Sequence, residues 1–296
     1  MKFSPRKFVK GAILSTAFFV AATGVYSYEI EPNLLKTTTY DLSSAKWPSA
    51  MPPLHVAVAA DLHVGCPSVG LKRLGEIVER LNALKADIIV LPGDFVTMMG
   101  DDKVIGGEYV PPDQIAAVLK GLHAPLGVYA VLGNHDRMND PEAMRRALEN
   151  VGIKVMDNDS VHIKSEKHDF WLTGLSDDTT SKPDWKAASA KIDSDAPVIV
   201  ITHDPGAFVD KNDRPVVMIA GHTHGGQFLP MAGKFFGNPY SRAPLKYLYG
   251  HISEGGRDLV VTSGIGTSII PLRLGAKPEI VDLEIRGAPP PKGPGS

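Results

Sequence analysis

Two histidines one residue apart stand in a glycine-rich turn of this 296-residue chain, and their types and spacing suit metal binding. The stretch Gly221-His222-Thr223-His224-Gly225-Gly226 follows the apolar run 216–220, which is typical of a buried strand. Alternate residues of an extended backbone start on the same side, so one short turn can present both imidazoles. The flanking glycines predict backbone that passes close to a bound group without side chains in the way.

Four further apolar runs end in side chains of the same kinds. Each is a short predicted strand followed within three residues by Asp, Asn or His, and the residues are Asp61 and His63, Asp94, Asn134 and His135, and His203. Functional groups gather at the carboxyl ends of strands in open α/β sheets, so we expect these loops to converge. Taken singly, each motif can be explained as a turn or as surface polarity, and an isolated histidine at a strand end is more often a structural residue than a ligand. Their joint occurrence predicts a site.

The residue types indicate which ions the site would hold. Carboxylate, imidazole and amide ligands together favour first-row divalent ions such as Mn, Zn or Fe. No cysteine belongs to the set, which argues against a structural zinc site, and we expect the chain's one cysteine, Cys66, to be a small buried hydrophobe. Because the ligands outnumber what one tetrahedral ion needs, they predict two ions about 3.5–4 Å apart that share a carboxylate. Such a pair suits displacement at phosphorus.

The elements that must position these residues alternate between strand and helix in the first half of the chain, and strands dominate the second. Apolar spacing predicts helices over 71–84, 112–122 and 141–150. Strands are predicted over 54–60, 88–91, 127–132, 170–175, 197–202, 216–220, 259–262 and 279–285, with weaker ones near 154 and 161. This order predicts a layered α/β or α+β architecture with a single catalytic domain over 54–286.

In chain order, the motifs Asp-x-His, Gly-Asp, Gly-Asn-His-Asp, His and Gly-His-Thr-His resemble the five motifs of the calcineurin-like metallophosphoesterases. The resemblance implies a four-layer fold, a two-sheet β-sandwich flanked by helices. It implies that one ion is bound by Asp61, His63 and His224 and the other by Asn134, His203 and His222, with Asp94 bridging them. His135 would not bind metal; it would stabilise the developing phosphoryl charge or protonate the leaving oxygen. Asp136 would either orient His135 or stabilise the turn.

A narrower likeness is to the bacterial membrane-associated branch of that family, whose members have an N-terminal anchor or a twin-arginine signal. The stretches that carry it are Gly221–Gln227, Tyr249-Gly250, Gly264–Ser268 and Pro271–Leu274. It implies hydrolysis of a phosphodiester or pyrophosphate bond. The substrate would be a lipid-linked nucleotide such as UDP-2,3-diacylglucosamine, or the protein would be a wall-associated general phosphoesterase. The loop 264–268 is interpreted either as a phosphate-facing turn or as a tight strand exit, and Arg273 either as a phosphate partner or as part of a surface salt bridge.

The first thirty residues predict a signal or membrane anchor. Basic residues precede an apolar run from Gly11 to about Tyr28, and the segment 4–10 resembles a twin-arginine motif with Pro5 in place of the first arginine. The positive-inside rule then places the catalytic domain outside the cytoplasm, whereas the lipid precursor named above lies on the cytoplasmic face, so both sides stay open. Residues 31–53 are expected to be a connector that wraps onto the domain edge, and 287–296 a flexible tail.

The overall composition excludes one class of partner and leaves a second class of function open. The formal net charge of −2 and the pI of about 6.6 give no basis for nucleic-acid binding. A non-catalytic envelope-binding protein with a vestigial metal site is the alternative from a different class. No ligand of the set is missing, which favours an enzyme. The oligomeric state does not follow from the sequence.

Overall fold

Two six-stranded mixed sheets face each other in the computed structural model, which describes residues 5–97, 105–228 and 241–289. In spatial order, the strands of the first sheet are β1 (Lys36–Ser44), β12 (Glu279–Gly287), β2 (Leu54–Val58), β3 (Ile88–Leu91), β4 (Val128–Ala130) and β5 (Lys154–Val155). Those of the second sheet are β10 (Gly250–Glu254), β11 (Arg257–Val261), β9 (Pro215–Ala220), β8 (Val198–Ile201), β7 (Asp169–Gly174) and β6 (Asp159–Lys164).

The helices described lie outside this sandwich or precede it. They are α1 (Pro5–Val25), α2 (Leu71–Ala83), α3 (Pro112–Leu119), α4 (Asn134–Asn139), α5 (Pro141–Asn150) and α6 (Trp185–Ala188). Alternation along the strands produces the layers. On β2, Val56 and Val58 join the core between the sheets, whereas Ala57 faces α2, α3 and α5. On β8, Val200 packs outward against Phe208 and Ala188. The predicted two-sheet sandwich flanked by helices is confirmed.

The strands that matter most for the site run parallel to one another. In the first sheet β2, β3, β4 and β5 are parallel, and in the second β7, β8, β9 and β11 are parallel. Their carboxyl ends therefore share an edge within each sheet. Short apolar runs such as Ile88–Leu91, buried at every residue, form these strands because both faces are covered.

The structure adds elements that the apolar patterns do not predict. Within the expected connector (31–53), β1 pairs in parallel with β12 along its whole length and forms an edge of the first sheet. The segment that begins at Asn134 is a short helix, α4, and a further strand, β10, pairs with β11. Residues 290–296 of the expected tail and 229–240 lie outside the described residues.

The predicted N-terminal anchor falls on α1 and its continuation. Among the described residues, 9–33 contain one helix long and apolar enough to cross a membrane, and its apolar window is not buried against the protein. Cys66 is buried and has a free thiol, as expected for a small hydrophobe.

Candidate metal centre

The predicted ligands are delivered by the carboxyl ends of five strands. Asp61 and His63 follow β2, Asp94 follows β3, and Asn134 follows β4, all in the first sheet. From the second sheet, His203 follows β8, and His222 and His224 follow β9. The side chains of these residues are almost completely buried, that of His222 being 6% exposed. The structure thus brings all seven predicted ligands together at one end of the sandwich.

One group of ligand atoms comes from Asp61, His63 and His224. The Nε2 atoms of His63 and His224 are 3.0 Å apart, and His224 Nε2 lies 3.7 Å from Asp61 Oδ1. Asp61 also accepts hydrogen bonds from the backbone N–H of His222, at 2.9 and 3.1 Å, which ties the two sheets together. Three potential ligand atoms therefore face a common point.

A second group comes from Asn134, His203 and His222. Asn134 Oδ1 is 3.0 Å from His203 Nε2 and 3.0 Å from His222 Nδ1, and these two nitrogens are 3.1 Å apart. The three atoms form a nearly equilateral triangle. It is the arrangement expected of ligands on one face of a single ion.

Asp94 lies between the two groups. Its Oδ2 atom is 3.4 Å from His63 Nε2, which belongs to the first group, and 3.3 Å from His203 Nε2, which belongs to the second. Its other oxygen, Oδ1, accepts a hydrogen bond of 2.9 Å from the backbone N–H of His135. One carboxylate oxygen therefore addresses both groups at nearly equal distance.

The spacing of the donor atoms fits divalent ions of the first transition row. Ligand atoms bound at about 2.1 Å lie about 3.0 Å apart at right angles and about 3.4 Å apart at the tetrahedral angle. The separations within the triangles, 3.0–3.1 Å in the second and 3.0 and 3.7 Å in the first, are of that size. The donor set of carboxylate, imidazole and amide, without thiolate, matches the same ions.

Backbone carbonyls fix which nitrogen of two histidines is presented. His203 Nδ1 donates to the carbonyl of Pro92 at 2.7 Å, and His63 Nδ1 donates to that of Val96 at 3.2 Å. With Nδ1 held by a carbonyl, each ring directs Nε2 toward the centre. This second layer of contacts sets the orientation of both rings.

The backbone of the site is strained at the ligands themselves. Nine non-glycine residues of the described chain have positive φ, and five of them are proposed ligands: Asp61, His63, Asp94, His222 and His224. Their φ values, from 42° to 69°, lie in the left-handed region, which costs of order 1–3 kcal/mol per residue. Strain of this kind persists where surrounding structure enforces it, and it clusters at functional sites.

Charges within the cluster shift its pKa values in opposite directions. Burial raises the pKa of Asp61 to about 6, and burial together with His135 lowers that of His63 to about 3. Burial would lower the pKa of His203, but Asp94 and Asp61 outweigh it and raise that pKa well above its usual value. Burial likewise opposes ionisation of Asp94, yet His203 and His135 hold its pKa well below the usual range. Asp94 and His203 therefore form a buried ion pair.

His135 lies beside the ligands but is oriented by different partners. Its Nδ1 donates to the carbonyl of Thr97 at 3.1 Å, and its Nε2 is 3.0 Å from Ser268 Oγ. The ring packs edge-on against His63, with centroids 4.5 Å apart. Burial lowers the pKa of His135, and its Nε2 atom faces the Ser268 hydroxyl.

Ser268 is a site residue that the motifs did not identify. Gln227 holds it in place: the backbone N–H of Ser268 donates to Gln227 Oε1, and Gln227 Nε2 donates to the carbonyls of Ser268 and Ile270, each at 2.9 Å. Gln227 and Ile269 both have positive φ. The only sequence signal was the Gly264–Ser268 stretch itself, interpreted as a phosphate-facing turn or a tight strand exit without a role for the Ser268 hydroxyl.

The two interpretations of Asp136 are resolved in favour of turn stabilisation. Its carboxylate accepts four backbone N–H bonds, from Gly133, Asp94, Phe95 and Val96, at 2.9–3.2 Å. Burial and the neighbouring Asp94 raise the pKa of Asp136 to about 7. The side chain therefore holds the turn that carries Asp94, while the Thr97 carbonyl orients His135.

Both interpretations of Arg273 are wrong. The side chain is 0% exposed, so it is not part of a surface salt bridge, and its guanidinium is occupied by backbone carbonyls. It donates to those of Ser263, Gly266 and Ala276, at 2.6–3.1 Å. Its Nη2 also lies 3.3 Å from His224 Nδ1. Arg273 is therefore a buried residue that connects three backbone segments behind His224, a proposed ligand.

The loop 264–268 is a tight strand exit. The backbone N–H of Ile265 donates to the carbonyl of Ala60 at 3.1 Å, and that of Gly266 donates to Asp61 at 2.7 Å. These donors are consequently used within the protein rather than turned toward a phosphate. The loop supports the Asp61–His63 turn from behind.

Comparisons with known proteins agree with the geometry. Residues 54–226, more than half of the chain, match the family model described as calcineurin-like phosphoesterase. The uncharacterized metallophosphoesterase YkuE of Bacillus subtilis (strain 168) is 28% identical over 292 residues, which cover 96% of this chain and 98% of that protein. The phosphodiesterase YaeI of Escherichia coli (strain K12) is 28% identical, with 95% and 99% covered. A transmembrane protein with metallophosphoesterase domain from Bos taurus is 27% identical, with 85% of this chain and 57% of that protein covered.

Proposed function

The chain belongs to the calcineurin-like phosphoesterase family and is a metal-dependent phosphoester hydrolase, and from its site we propose that it cleaves phosphodiester or pyrophosphate bonds with two divalent ions. The observation that carries the proposal is the position of Asp94 Oδ2, 3.4 Å from His63 Nε2 and 3.3 Å from His203 Nε2. A carboxylate oxygen that addresses two ligand groups equally is what a shared ligand requires.

The residues divide into two sets in this proposal. Asp61, His63 and His224 hold one ion; Asn134, His203 and His222 hold the other; Asp94 serves both. When bound, a pair of Mn, Zn or Fe ions supplies positive charge to a phosphoryl group and lowers the pKa of a water molecule.

His135 acts on the substrate rather than on the ions. Because its Nδ1 is engaged with the Thr97 carbonyl, Nε2 is the atom available to the substrate, and the ring donates from Nε2 to a phosphoryl or leaving oxygen when it carries a second proton there, as an imidazolium. The Ser268 hydroxyl, 3.0 Å from Nε2, keeps the ring turned in that direction.

The activity is tested with the full chain reconstituted with Mn and with bis-p-nitrophenyl phosphate as substrate. We expect hydrolysis by the wild type and its loss in Asp94→Ala. The matched control is Asp195→Ala, because the Asp195 side chain is fully exposed, and it should keep wild-type activity. Full activity of Asp94→Ala would overturn the shared-ligand assignment. Fewer than one ion per chain after reconstitution would instead support a binding protein with a vestigial site.

For the substrate class we propose a lipid-linked phosphodiester or pyrophosphate. The N-terminal apolar helix and the relatives named as transmembrane proteins suggest membrane association. A membrane-held hydrolase meets its substrate most effectively when that substrate is in the same membrane. UDP-2,3-diacylglucosamine and its soluble analogue UDP-N-acetylglucosamine, assayed under identical conditions, distinguish the cases. A kcat/KM that is equal for both contradicts a lipid-linked substrate and leaves the phosphoesterase activity intact.

We also propose that the catalytic domain lies outside the cytoplasm, on the basis of the basic residues that precede the apolar run from Gly11. A reporter fused to the C-terminus that is active only after export tests this. Activity of a cytoplasm-specific reporter at the same position would place the domain on the cytoplasmic face instead.

A further inference from the structure

The end of the N-terminal helix is built into the catalytic domain. Beyond α1 the chain continues through a π-helical turn, Tyr26–Ile30, and a 3-10 turn, Glu31–Asn33, without an extended linker. Ser27 and Glu31 are 1% and 2% exposed, although they follow a helix whose apolar side chains from Val9 onward are exposed. The 21 residues of α1 are about 30 Å long, which matches the hydrocarbon thickness of a bilayer.

The contacts of this helix end lead directly to the loop behind the metal centre. The carbonyl of Ser27 accepts from the backbone N–H of Arg273 at 2.8 Å, and Glu31 Oε1 accepts from that of Ala276 at 2.8 Å. Arg273 in turn places Nη2 3.3 Å from His224 Nδ1. One arginine side chain therefore separates the end of the membrane helix from a proposed metal ligand. The loop that contains Arg273 thus connects the helix end with the site.

The same loop presents isoleucines to the outside at this place. Ile269 is 48% and Ile270 37% exposed, directly after Ser268, whose hydroxyl contacts His135. Ile269 has a φ of 63°, which is a rare conformation for a β-branched residue. Gln227 holds the loop in this shape through the carbonyls of Ser268 and Ile270. The outward position of the isoleucines is thus enforced by the fold.

Further exposed apolar side chains adjoin the helix end. Tyr28 and Ile30 are 39% and 46% exposed, and Ile105 is 67% exposed. Ile105 precedes Gly106, where an added Cβ would be 3.6 Å from the hydroxyl of Tyr28. Tyrosines and exposed aliphatic residues next to a spanning helix are typical of the membrane–water interface.

We propose that Ile269 and Ile270, together with Tyr28, Ile30 and Ile105, form a membrane-contacting rim that rests in the headgroup region of the bilayer crossed by α1. The rim fixes the entrance of the site, marked by Ser268 and His135, at the lipid surface. The bilayer is the occupant because Arg273, three residues after Ile270, is hydrogen-bonded through its backbone N–H to Ser27, at the end of the helix that enters the bilayer. The proposal concerns position and does not depend on the hydrolytic activity.

The test uses the full chain in vesicles of equal parts phosphatidylethanolamine and phosphatidylglycerol. Ile270→Cys carries an environment-sensitive fluorophore, and quenching by lipids with a nitroxide near the headgroup is measured. Cys66 is buried, so the label reacts at the introduced cysteine. The matched control is Val209→Cys, since Val209 is 42% exposed on the 3-10 turn Pro205–Val209, which packs with the outer face of the second sheet.

We expect quenching at position 270 several-fold stronger than at 209, with a blue-shifted emission. A label at Ile105→Cys gives a second reading and should behave like position 270. Quenching at 270 no stronger than at 209 overturns the proposal, whatever position 105 shows. Because no substrate is present, this outcome is independent of whether the protein hydrolyses phosphodiesters.

Discussion

Gly133 is the position at which the smallest substitution should displace the shared carboxylate. A Cβ added there would be 2.2 Å from Asp94 Oδ1 and 2.8 Å from Asp94 Cγ. The backbone of Gly133 is extended, with φ of −90° and ψ of −178°, so alanine meets no conformational penalty and the clash alone acts. Gly133→Ala therefore tests the placement of Asp94 without changing any ligand.

The size of the effect follows from these distances. Restoring ordinary contact at about 3.5 Å requires the Asp94 carboxylate to move by more than about 1 Å. A misplacement of this size in a catalytic site costs on the order of 100-fold in rate. Overpacking should also destabilise the fold by about 1–3 kcal/mol. We expect kcat to fall by about 100-fold or more. We also expect the variant to bind one or both ions more weakly.

The assay combines hydrolysis of bis-p-nitrophenyl phosphate with Mn, metal content per chain, and urea unfolding. The matched control is Gly75→Ala in α2, where an added Cβ has nothing within 4 Å and helix propensity favours alanine. That variant should keep wild-type activity and gain about 0.5–1 kcal/mol of stability. If Gly133→Ala keeps wild-type kcat, metal content and stability, the reasoning about Asp94 is refuted.

Three further predictions concern residues around the ligands. Asp136→Asn should lower the free energy of unfolding by about 2–4 kcal/mol, because the amide leaves two of the four backbone donors unpaired. If urea unfolding shows unchanged stability and the pH profile of activity changes instead, Asp136 orients His135 rather than the turn. Ser268→Ala should reduce kcat about ten-fold more for a dinucleoside phosphate than for bis-p-nitrophenyl phosphate, because a nucleoside alkoxide leaving group needs proton donation more than nitrophenolate does. The control is Ser253→Ala at an exposed serine. Equal losses of kcat for the two substrates would mean that Ser268 has only a structural role. At pH 7, Mn binding should release protons, because the pKa of His203 is raised and a metal-bound imidazole must be neutral. The affinity for Mn should therefore increase with pH. Calorimetric binding heats that do not depend on the ionisation enthalpy of the buffer would contradict this.

The convergence of the proposed strand-end ligands was predictable because each follows a short apolar run in the sequence. The parallel order of the strands then places their carboxyl ends together, as for Asp61 after β2 and Asp94 after β3. The strained φ values at these residues were not predictable, since only a few per cent of non-glycine residues have positive φ, even though aspartate and histidine are enriched among them.

The remaining features depend on contacts that local patterns do not encode. Ser268 meets His135 across 133 positions of sequence, from a loop without periodicity. Arg273 was misassigned because its partners are backbone carbonyls, which any sequence provides. The strand β1 was predicted only as part of a connector, because it is a polar edge strand whose residues 36–41 alternate between half-buried and exposed.

The central claim is that seven side chains hold two ions that share Asp94. Crystals of the full chain grown with Mn, with anomalous diffraction recorded on both sides of the Mn absorption edge, test it directly. We expect two anomalous peaks about 3.5–4 Å apart, one beside His63 and His224, the other beside His203 and His222, with Asp94 contacting both. A single peak, or two peaks of which only one contacts Asp94, would contradict the account.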